Sequence, residues 1–300
     1  MDDTEWLASR FEQHRPRLRA VAYQMLGSLA EADDAVQDTW LRLSRAGAGD
    51  VDNLGGWLTT IVARVSLNML RSRKRRREES LEVYVPDPVI GRDGTAQPEQ
   101  EALLADSVGL ALLVVLDTLT PDERLAFVLH DMFDLPFNDI AALLGRSTPA
   151  AKQLASRARR RVRGAEVPAD PDHTVQRRVV DAFFAAARQG DFDALVMVLH
   201  PDVVLRIDGG TGSSGIQQPI RGAAGVARQA LFGIRLLFDG PATVLHSVLV
   251  NGSAGVIATV DGRPLAVMSF TVVEGRIIEI DSISDPRRLP RIAAAAGLTG

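Results

Sequence analysis

Two short stretches of this chain are dense in positive charge. Six of the seven residues from 71 to 77 are Lys or Arg, and residues 146–163 hold seven basic side chains and no acid. Cations packed this closely can neutralise several phosphates, with the steep salt dependence that counterion release imposes. One such stretch could be a solvated helix end whose carbonyl dipole favours cations. Two stretches, each closing a helical segment, favour a polyanionic partner. A third feature is acidic: Glu31, Asp34 and Asp38 share one face of an expected helix, with Gln37 beside them. His200, Asp208 and His246 could do acid–base work, but a lone His before Pro is more often structural, and no catalytic residue is assigned. No Walker loop, Rossmann fingerprint, paired-His zinc motif or nucleophile elbow is present. The Gly-rich stretch 208–215 follows a strand-like run without opening a helix, so it makes a poor phosphate cradle. The expectation is a binding protein and not an enzyme, with no metal and no cofactor.

The elements that must position these residues can be read from periodicity. Residues 5–44 read as two helices broken at Gly27 and Ser28, with Phe11, Leu18, Val21, Ala22, Met25 and Leu26 on one stripe. Residues 57–77 form a third helix with Leu58, Ile61, Val62, Val65 and Met69 inward and Arg64, Asn68 and Arg71 outward. Residues 81–100 hold three prolines and no helical period, and read as a linker. Tyr84, Val85, Pro86, Asp87 and Pro88 make it too apolar for a floppy tether. A helix over 101–119 follows. Another runs from 121 to about 133, introduced by Thr120 and Pro121 with acids in its first turn. A short helix over 139–144, a turn at Gly145, Arg146 and Ser147, and a basic helix from Thr148 through Arg163 give a helix-turn-helix pattern. Residues 166–172 mark a second boundary. Beyond it, helices over 175–188, 191–199 and 223–231 and strands over 203–207, 243–250, 255–260, 265–272 and 277–283 are expected. Asn-Gly, Asp-Gly and Glu-Gly pairs at 251, 261 and 274 serve as hairpin turns. Helices followed by a meander indicate an α+β domain with helices on one face of a curved antiparallel sheet.

Three hundred residues suggest two or three domains. A composition of 46% hydrophobic and 24% charged residues excludes a wholly disordered chain. The net charge of -4 hides the two basic stretches. Cysteine is absent, which fits a reducing compartment and leaves no disulfide framework. The first ten residues carry three acids and no apolar run, unlike a secretory signal. The longest apolar stretch, 109–116, is far short of the ~20 residues that span a bilayer. A cytoplasmic protein without membrane contact is expected.

Particular motifs sharpen this outline. Asp33-Asp34-Ala35-Val36-Gln37-Asp38-Thr39-Trp40, then Gly56-Trp57-Leu58-Thr59-Thr60-Ile61-Val62-Ala63-Arg64 and the first basic run, resemble region 2 of bacterial extracytoplasmic-function sigma factors. Leu119-Thr120-Pro121-Asp122-Glu123-Arg124, with Asp139-Ile140-Ala141 through Arg163, resemble their region 4. Residues 173–300 resemble a SnoaL-like domain, a cone-shaped α+β fold fused to the C-terminus in one subgroup. That subgroup carries a linker motif, a Gly-rich loop and a terminal motif. Their counterparts here are Tyr84-Val85-Pro86-Asp87-Pro88, the loop from Asp208 to Gly212, and Asp285-Pro286-Arg287-Arg288-Leu289. All three depart in detail, and the loop lacks the subgroup's lysine.

The resemblance implies two all-α domains, the second with a helix-turn-helix, plus the C-terminal α+β cone. The expected boundaries are 1–80, 81–100, 101–165, 166–172 and 173–300. It implies binding to core RNA polymerase and promoter DNA, with Asp34, Gln37 and Asp38 docking on the polymerase clamp helices. Contact with the -10 element is expected from Asp52, Asn53, Leu54, Arg64, Asn68 and Arg71, with Arg73, Lys74 and Arg75 on phosphates. At the -35 element, Thr148, Ala150, Lys152 and Gln153 occupy the first turns of the recognition helix, while Ser147, Ser156, Arg157 and Arg160 hold phosphates. The C-terminal domain is expected to contact the linker and region 2 in cis through Asp208, Gly209, Gly210, Asp285, Pro286 and Leu289, and so to regulate activity from high effective concentration. Two other readings stand beside this one: a DNA-binding regulator that senses an unknown small molecule, and an enzyme domain tethered to a DNA-binding module.

Overall fold

The fold is given by a computed structural model, which describes residues 3–46, 53–77, 84–91, 109–165, 169–210, 218–238 and 243–298. The chain forms two compact units. The first comprises Met1–Ser80, Glu99–Ser107 and Leu112–Glu166; the second comprises Leu81–Pro98, Val108–Ala111 and Val167–Gly300. Most of the stretch expected to be a linker therefore belongs to the C-terminal unit.

In the first unit, α1 (Asp3–Leu26), α2 (Leu29–Ala46) and α3 (Leu54–Arg77) pack against one another. Phe11, Leu18, Val21, Met25 and Leu26 meet Ala32, Ala35, Val36 and Leu43 of α2 and Leu58, Val62 and Val65 of α3, all buried. The segment that resembles region 4 follows, in the same unit from Leu112 onward. It holds α4 (Leu110–Asp117), α5 (Pro121–Phe127), α6 (Phe137–Leu144) and α7 (Thr148–Ala165). The helix expected over 101–119 is described only from Leu110. The helix expected to reach residue 133 changes to π winding at Val128–Met132, and Leu135 N–H then donates to the Leu129 carbonyl at 2.8 Å. The widened turn sets the angle at which α6 leaves. Gly145 ends α6 at φ +63, a left-handed cap that suits glycine, so the chain turns sharply into α7.

The second unit contains α8 (His173–Gln189), α9 (Phe192–Val198), β2 (Leu199–Asp208), β3 (Ile220–Arg221), α10 (Ala223–Phe238), β4 (Thr243–Val250), β5 (Ser253–Val260), β6 (Arg263–Val273), β7 (Arg276–Ile283) and α11 (Leu289–Ala295). With β1 (Ile90–Gly91), which comes from the linker, the strands form one sheet in the order β1-β4-β5-β6-β7-β2-β3. The three hairpin turns are as their dipeptides indicate: Asn251, Asp261 and Glu274 have φ near +50, each followed by a positive-φ glycine. The sheet is not wholly antiparallel, because β2 runs parallel to β7. The meander from β4 to β7 brings the last strand back beside β2 in the same direction. Also unexpected were β1, β3 and α11, two of them only two residues long.

Alternation along the strands sends side chains to two covered faces. One face packs Phe270, Val256, Ala254, Val272 and Ile280 against Val180, Phe183 and Phe184 of α8, Leu195 of α9 and Val226 and Ala227 of α10. On the other, Ile257, Val267 and Ile283 are buried, and α11 packs beside β6 with Leu289, Ile292 and Ala293 buried. This second face also holds charge. Arg206 of β2 donates to Asp281 at 3.0 Å and to Glu279 at 2.9 Å, both on β7. One cation shared by two carboxylates leaves a net negative charge away from water. Burial pushes the Asp281 carboxyl up to about 6; Arg206 opposes the shift and Glu279 adds to it.

An acid whose folded pKa is raised favours folding while it is protonated. The contribution of Asp281 is therefore present below pH ~4 and is lost as pH rises through about 6. Denaturant unfolding of the Asp281→Asn protein at several pH values between 4.5 and 7 should lack this loss, which is on the order of 2–3 kcal/mol in the parent. Identical pH slopes in the two proteins would refute the assignment.

Candidate nucleic-acid interface

Two exposed helix faces in the first unit carry the residues suited to DNA. On α3, Arg64, Asn68 and Arg71 are exposed at spacings of four and three, while the intervening Val65, Ser66, Leu67 and Leu70 are buried. Leu54 opens this helix half-buried, and Asn53 caps it, its Oδ1 accepting from Gly56 N–H at 2.9 Å. The Asn53 carbonyl oxygen is thus engaged with the helix end. Arg73 is directed into the protein, donating to Glu31 at 3.0 Å and to Asp117 at 3.4 Å. Lys74 and Arg75 lie on α3 with side chains outside the described part, and Asp52 is outside the described residues.

The helix-turn-helix is α6, the turn at Gly145, and α7. Ala151, Leu154, Ala155, Ala158 and Val162 bury one stripe of α7, which leaves Lys152, Gln153, Ser156, Arg157 and Arg160 exposed. Ser147 Oγ accepts from Ala150 N–H at 3.4 Å at the helix start, where Ala150 is half-buried. Thr148 Oγ1 donates to Asn138 of α6 at 3.0 Å, and Lys152 lies 5.9 Å from the Phe137 ring.

One residue that the sequence reading missed fixes this helix. Glu123 is buried and closes a capping box with Thr120. Its Oε1 also accepts from Arg157 at 3.2 Å and its Oε2 from Arg161 at 2.8 Å. Burial raises its pKa, but the Thr120 hydrogen bonds and the charges of Arg161 and Arg157 outweigh that and hold it below the ordinary value. Arg157, expected on phosphate, is instead bound to Glu123 here. The Ser/Thr-x-x-Glu spacing was the available signal; the partners on α7 lie 34 and 38 residues away.

On α2, Asp34 and Gln37 are exposed and Asp38 is half-exposed, paired with Arg42 at 3.0 Å. Leu41 continues the stripe, also exposed.

In the second unit the expected linker and loop residues come together around one guanidinium. Arg288 donates to Asp87 at 2.8 Å, to Asp208 at 2.6 Å and to the Val85 carbonyl at 2.7 Å, and it lies 5.1 Å from the Tyr84 ring. Asp208 Oδ2 also accepts from Val85 N–H at 3.0 Å, and its Oδ1 accepts from Gly210 N–H at 3.0 Å. Gly210 has φ +80, and a Cβ there would come 2.5 Å from the Asp285 carboxyl, so glycine is needed for close approach. Asp285 Oδ1 accepts from Arg287 N–H at 2.9 Å. Leu289 is buried, Pro286 is exposed and Gly209 is half-buried. Further along the linker, Val89 N–H donates to Asn251 Oδ1 at 2.9 Å and the Val89 carbonyl accepts from Asn251 N–H at 2.8 Å. Ile90 then pairs with Val250 as the seventh strand. Residues 85–91 are all buried. Arg288 stands in the terminal motif, yet nothing in its sequence neighbourhood marks it as the ion-pair centre.

Of the side chains considered for acid–base work, Asp208 is held by these contacts. His200 Nδ1 accepts from Asp202 N–H at 3.2 Å, and His246 Nε2 lies 3.0 Å from Thr259 Oγ1. No described residues cluster as a metal site, and no described helix is long and apolar enough to cross a membrane.

An exposed polar stripe on a helix of one all-α bundle and a helix-turn-helix with a basic outer face are the features of a helical DNA-binding protein. Residues 10–76 match Sigma-70 region 2, and residues 109–162 match Sigma-70, region 4. The chain is 38% identical to the ECF RNA polymerase sigma factor SigJ of Mycobacterium tuberculosis, over 93% of this chain and 91% of that protein. It is 32% identical to the probable ECF RNA polymerase sigma factor SigI of the same species, over 99% of each. The crystal structure of Mycobacterium tuberculosis SigJ superposes with a TM-score of 0.75 at 33% identity, covering 97% of this chain and all of that one. The protein belongs to the extracytoplasmic-function RNA polymerase sigma factors, which recognise promoters for transcription initiation.

Two outcomes follow. Arg288→Ala strands the buried carboxylates of Asp87 and Asp208, so it should destabilise the second unit by about 3–5 kcal/mol and open residues 84–91 to limited proteolysis; unchanged protection would contradict the ion-pair centre. Glu123→Gln should weaken binding to -35 duplex DNA several-fold, with a loss of stability on the order of 1–3 kcal/mol, read by titration and thermal unfolding; parent-like values in both would remove Glu123 as the support of α7.

Proposed function

We propose that α3 reads the -10 element, α7 reads the -35 element, and the C-terminal unit regulates initiation by holding the interdomain linker. The observation that carries this reading is the exposed stripe of Arg64, Asn68 and Arg71 together with the outward Lys152, Gln153 and Ser156. Polar side chains along one exposed helix face suit capture of unpaired bases. Side chains in the first turns of a recognition helix suit the major groove, where Gln pairs with adenine and Lys with guanine. Asp34, Gln37 and Asp38, with Leu41, are the proposed docking surface for core RNA polymerase.

The regulatory part rests on the linker contacts. Seven consecutive buried residues, a strand pairing and a shared guanidinium give segment 84–91 the status of folded structure. The reach between the two DNA-binding helices then depends on whether that segment is docked or released. A fused domain acts at high effective concentration, in place of a separate anti-sigma protein. Contact of this domain with region 2 is part of the same proposal, to be sought by cross-linking in the full chain. The engagement of Asp208, His200 and His246 with their own neighbours favours a non-enzymatic regulator over a tethered enzyme, and a ligand in the cone has no specific support. A factor that works on core polymerase would act in the cytoplasm, and that location is part of the proposal.

Run-off transcription with purified core polymerase and the full chain tests the reading. Alanine at Arg64 and Asn68 should cut promoter opening at least about tenfold, and Lys152→Ala or Gln153→Ala should cost ~1–3 kcal/mol at one base of the -35 element only. Arg288→Ala should change output on the same promoters. Core polymerase that gains no start-site selectivity would refute the assignment, and parent-like output from a protein with a released linker would refute the regulation.

A further inference from the structure

The first turns of α7 are braced by the helix that precedes it. Phe137, the first residue of α6, is half-buried, and its ring stacks on the His130 imidazole with centroids 3.8 Å apart and planes 32° from parallel. His130 stands in the π turn after α5, and its Nδ1 lies 3.0 Å from the Leu135 carbonyl. A carbonyl only accepts, so this bond fixes the proton on Nδ1 and with it the plane of the imidazole. The Lys152 ammonium of α7 lies 5.9 Å from the centroid of the Phe137 ring, within the roughly 6 Å of a cation–π contact. Beside it, Asn138 accepts from the Thr148 hydroxyl at 3.0 Å. Thr148 and Lys152 are one turn apart on α7, and each is held by a residue of the first turn of α6. Gln153 and Ser156 are exposed, and among the described contacts no hydrogen bond or ring holds either side chain.

The choice of cation bears on this brace. The chain carries 34 basic residues, and only Lys74 and Lys152 among them are lysines. A lysine has a compact charge on a flexible stem, with no planar fork to orient it. In a major groove such a charge has two destinations: the O6 and N7 edge of a guanine, or the nearest phosphate. The phosphate contact carries no sequence information. Where the stem is held before DNA arrives decides between them, because a side chain already restricted to one arrangement costs less to order on binding.

We propose, resting on the assignment of α7 to the -35 element, that Phe137, fixed in turn by His130, is a positioning residue that keeps Lys152 directed at a base edge and off the backbone. The π turn acquires a role in this arrangement: it bonds His130 to Leu135 and so sets the imidazole against the Phe137 ring. Recognition by α7 is then of two kinds. The base met by Lys152 is read strictly, because that side chain arrives ordered. The bases met by Gln153 and Ser156 are read tolerantly, because those side chains settle only on contact.

A chain with two lysines makes the test direct. Full-length protein grown on lysine isotope-labelled at its ε-carbon gives one methylene signal for Lys74 and one for Lys152. The Lys152 signal, assigned by its loss in Lys152→Ala, should be displaced upfield by the ring current of Phe137 and should return in Phe137→Leu. Function is read with core RNA polymerase and the full chain, which select from a pool of duplexes randomised through the -35 and -10 windows; the bound sequences are counted. Lys152→Ala identifies the base pair that Lys152 reads. Phe137→Leu should lower discrimination at that pair about two- to fivefold and leave preferences at the other pairs as in the parent. Phe137→Tyr, which keeps the ring face, should restore it. A ring that served only to pack α6 on α7 would weaken every pair alike. A uniform loss, parent-like discrimination in Phe137→Leu, or an undisplaced Lys152 methylene in the parent overturns the positioning role. Should Phe137→Leu fail to fold, the methylene signal of the parent decides the matter. A selection that enriches no sequence, or Lys152→Ala with every preference unchanged, defeats the assignment of α7 itself. A pair that depends on Lys152 and is untouched by Phe137→Leu defeats the positioning role alone.

Discussion

The C-terminal unit depends on one guanidinium. Arg288 joins three segments that are distant in sequence: the linker through Asp87 and Val85, the end of β2 through Asp208, and its own position ahead of α11. Burial disfavours its charge, but Asp87, Tyr84 and Asp208 more than restore it and raise its pKa above the ordinary value. A cation between two buried carboxylates is favourable only while all three are present, because removing one leaves an uncompensated charge out of water. The docked linker, the covered second face of the sheet and the position of α11 are therefore coupled. Without this centre, β1 would be two residues on a sheet edge, too short to hold by itself.

In the first unit, neighbouring acids do different work. Glu123 turns inward, closes the capping box and fixes α7 through Arg157 and Arg161. Asp122, one residue earlier, reaches Arg71 and Arg146. The helix rotates about 100° per residue, so adjacent side chains face different surroundings. Charge on α7 is consequently of two kinds. Arg157, Arg159 and Arg161 are committed to Glu123 and Asp131, while no described ion pair involves Arg160. A count of basic residues measures the polyanion-binding capacity of such a helix only after the internal pairs are set aside.

Periodic elements were legible in the sequence. The stripes of α1, α2 and α3, the N-cap at Thr120 and the three hairpin turns follow from local spacing and backbone preference, and the structure has them. The α+β class was readable for the same reason, and the two sigma regions from motifs that resemble those of a known family. What escaped depends on long-range pairing. The strand β1 exists only because Asn251 and Val250, some 160 residues away, offer it an edge and a side-chain acceptor. The π turn at Val128–Met132 has no periodic signature of its own, since one extra residue in a turn changes no side-chain type. The parallel pairing of β2 with β7 is set by where the meander ends. Asp208 was singled out from its loop and Asp87 from its linker, but their common partner could be found only in space.

Hydrogen exchange at two amides tests most directly whether the linker is part of the C-terminal fold. Val85 N–H is bonded to Asp208 and Val89 N–H to Asn251, and neither lies within a helix. In the free full-length protein both should exchange as slowly as the central amides of β5, because they open only when the unit opens. Exchange of Val85 and Val89 at the rate of unstructured peptide, with β5 still protected, would contradict the account.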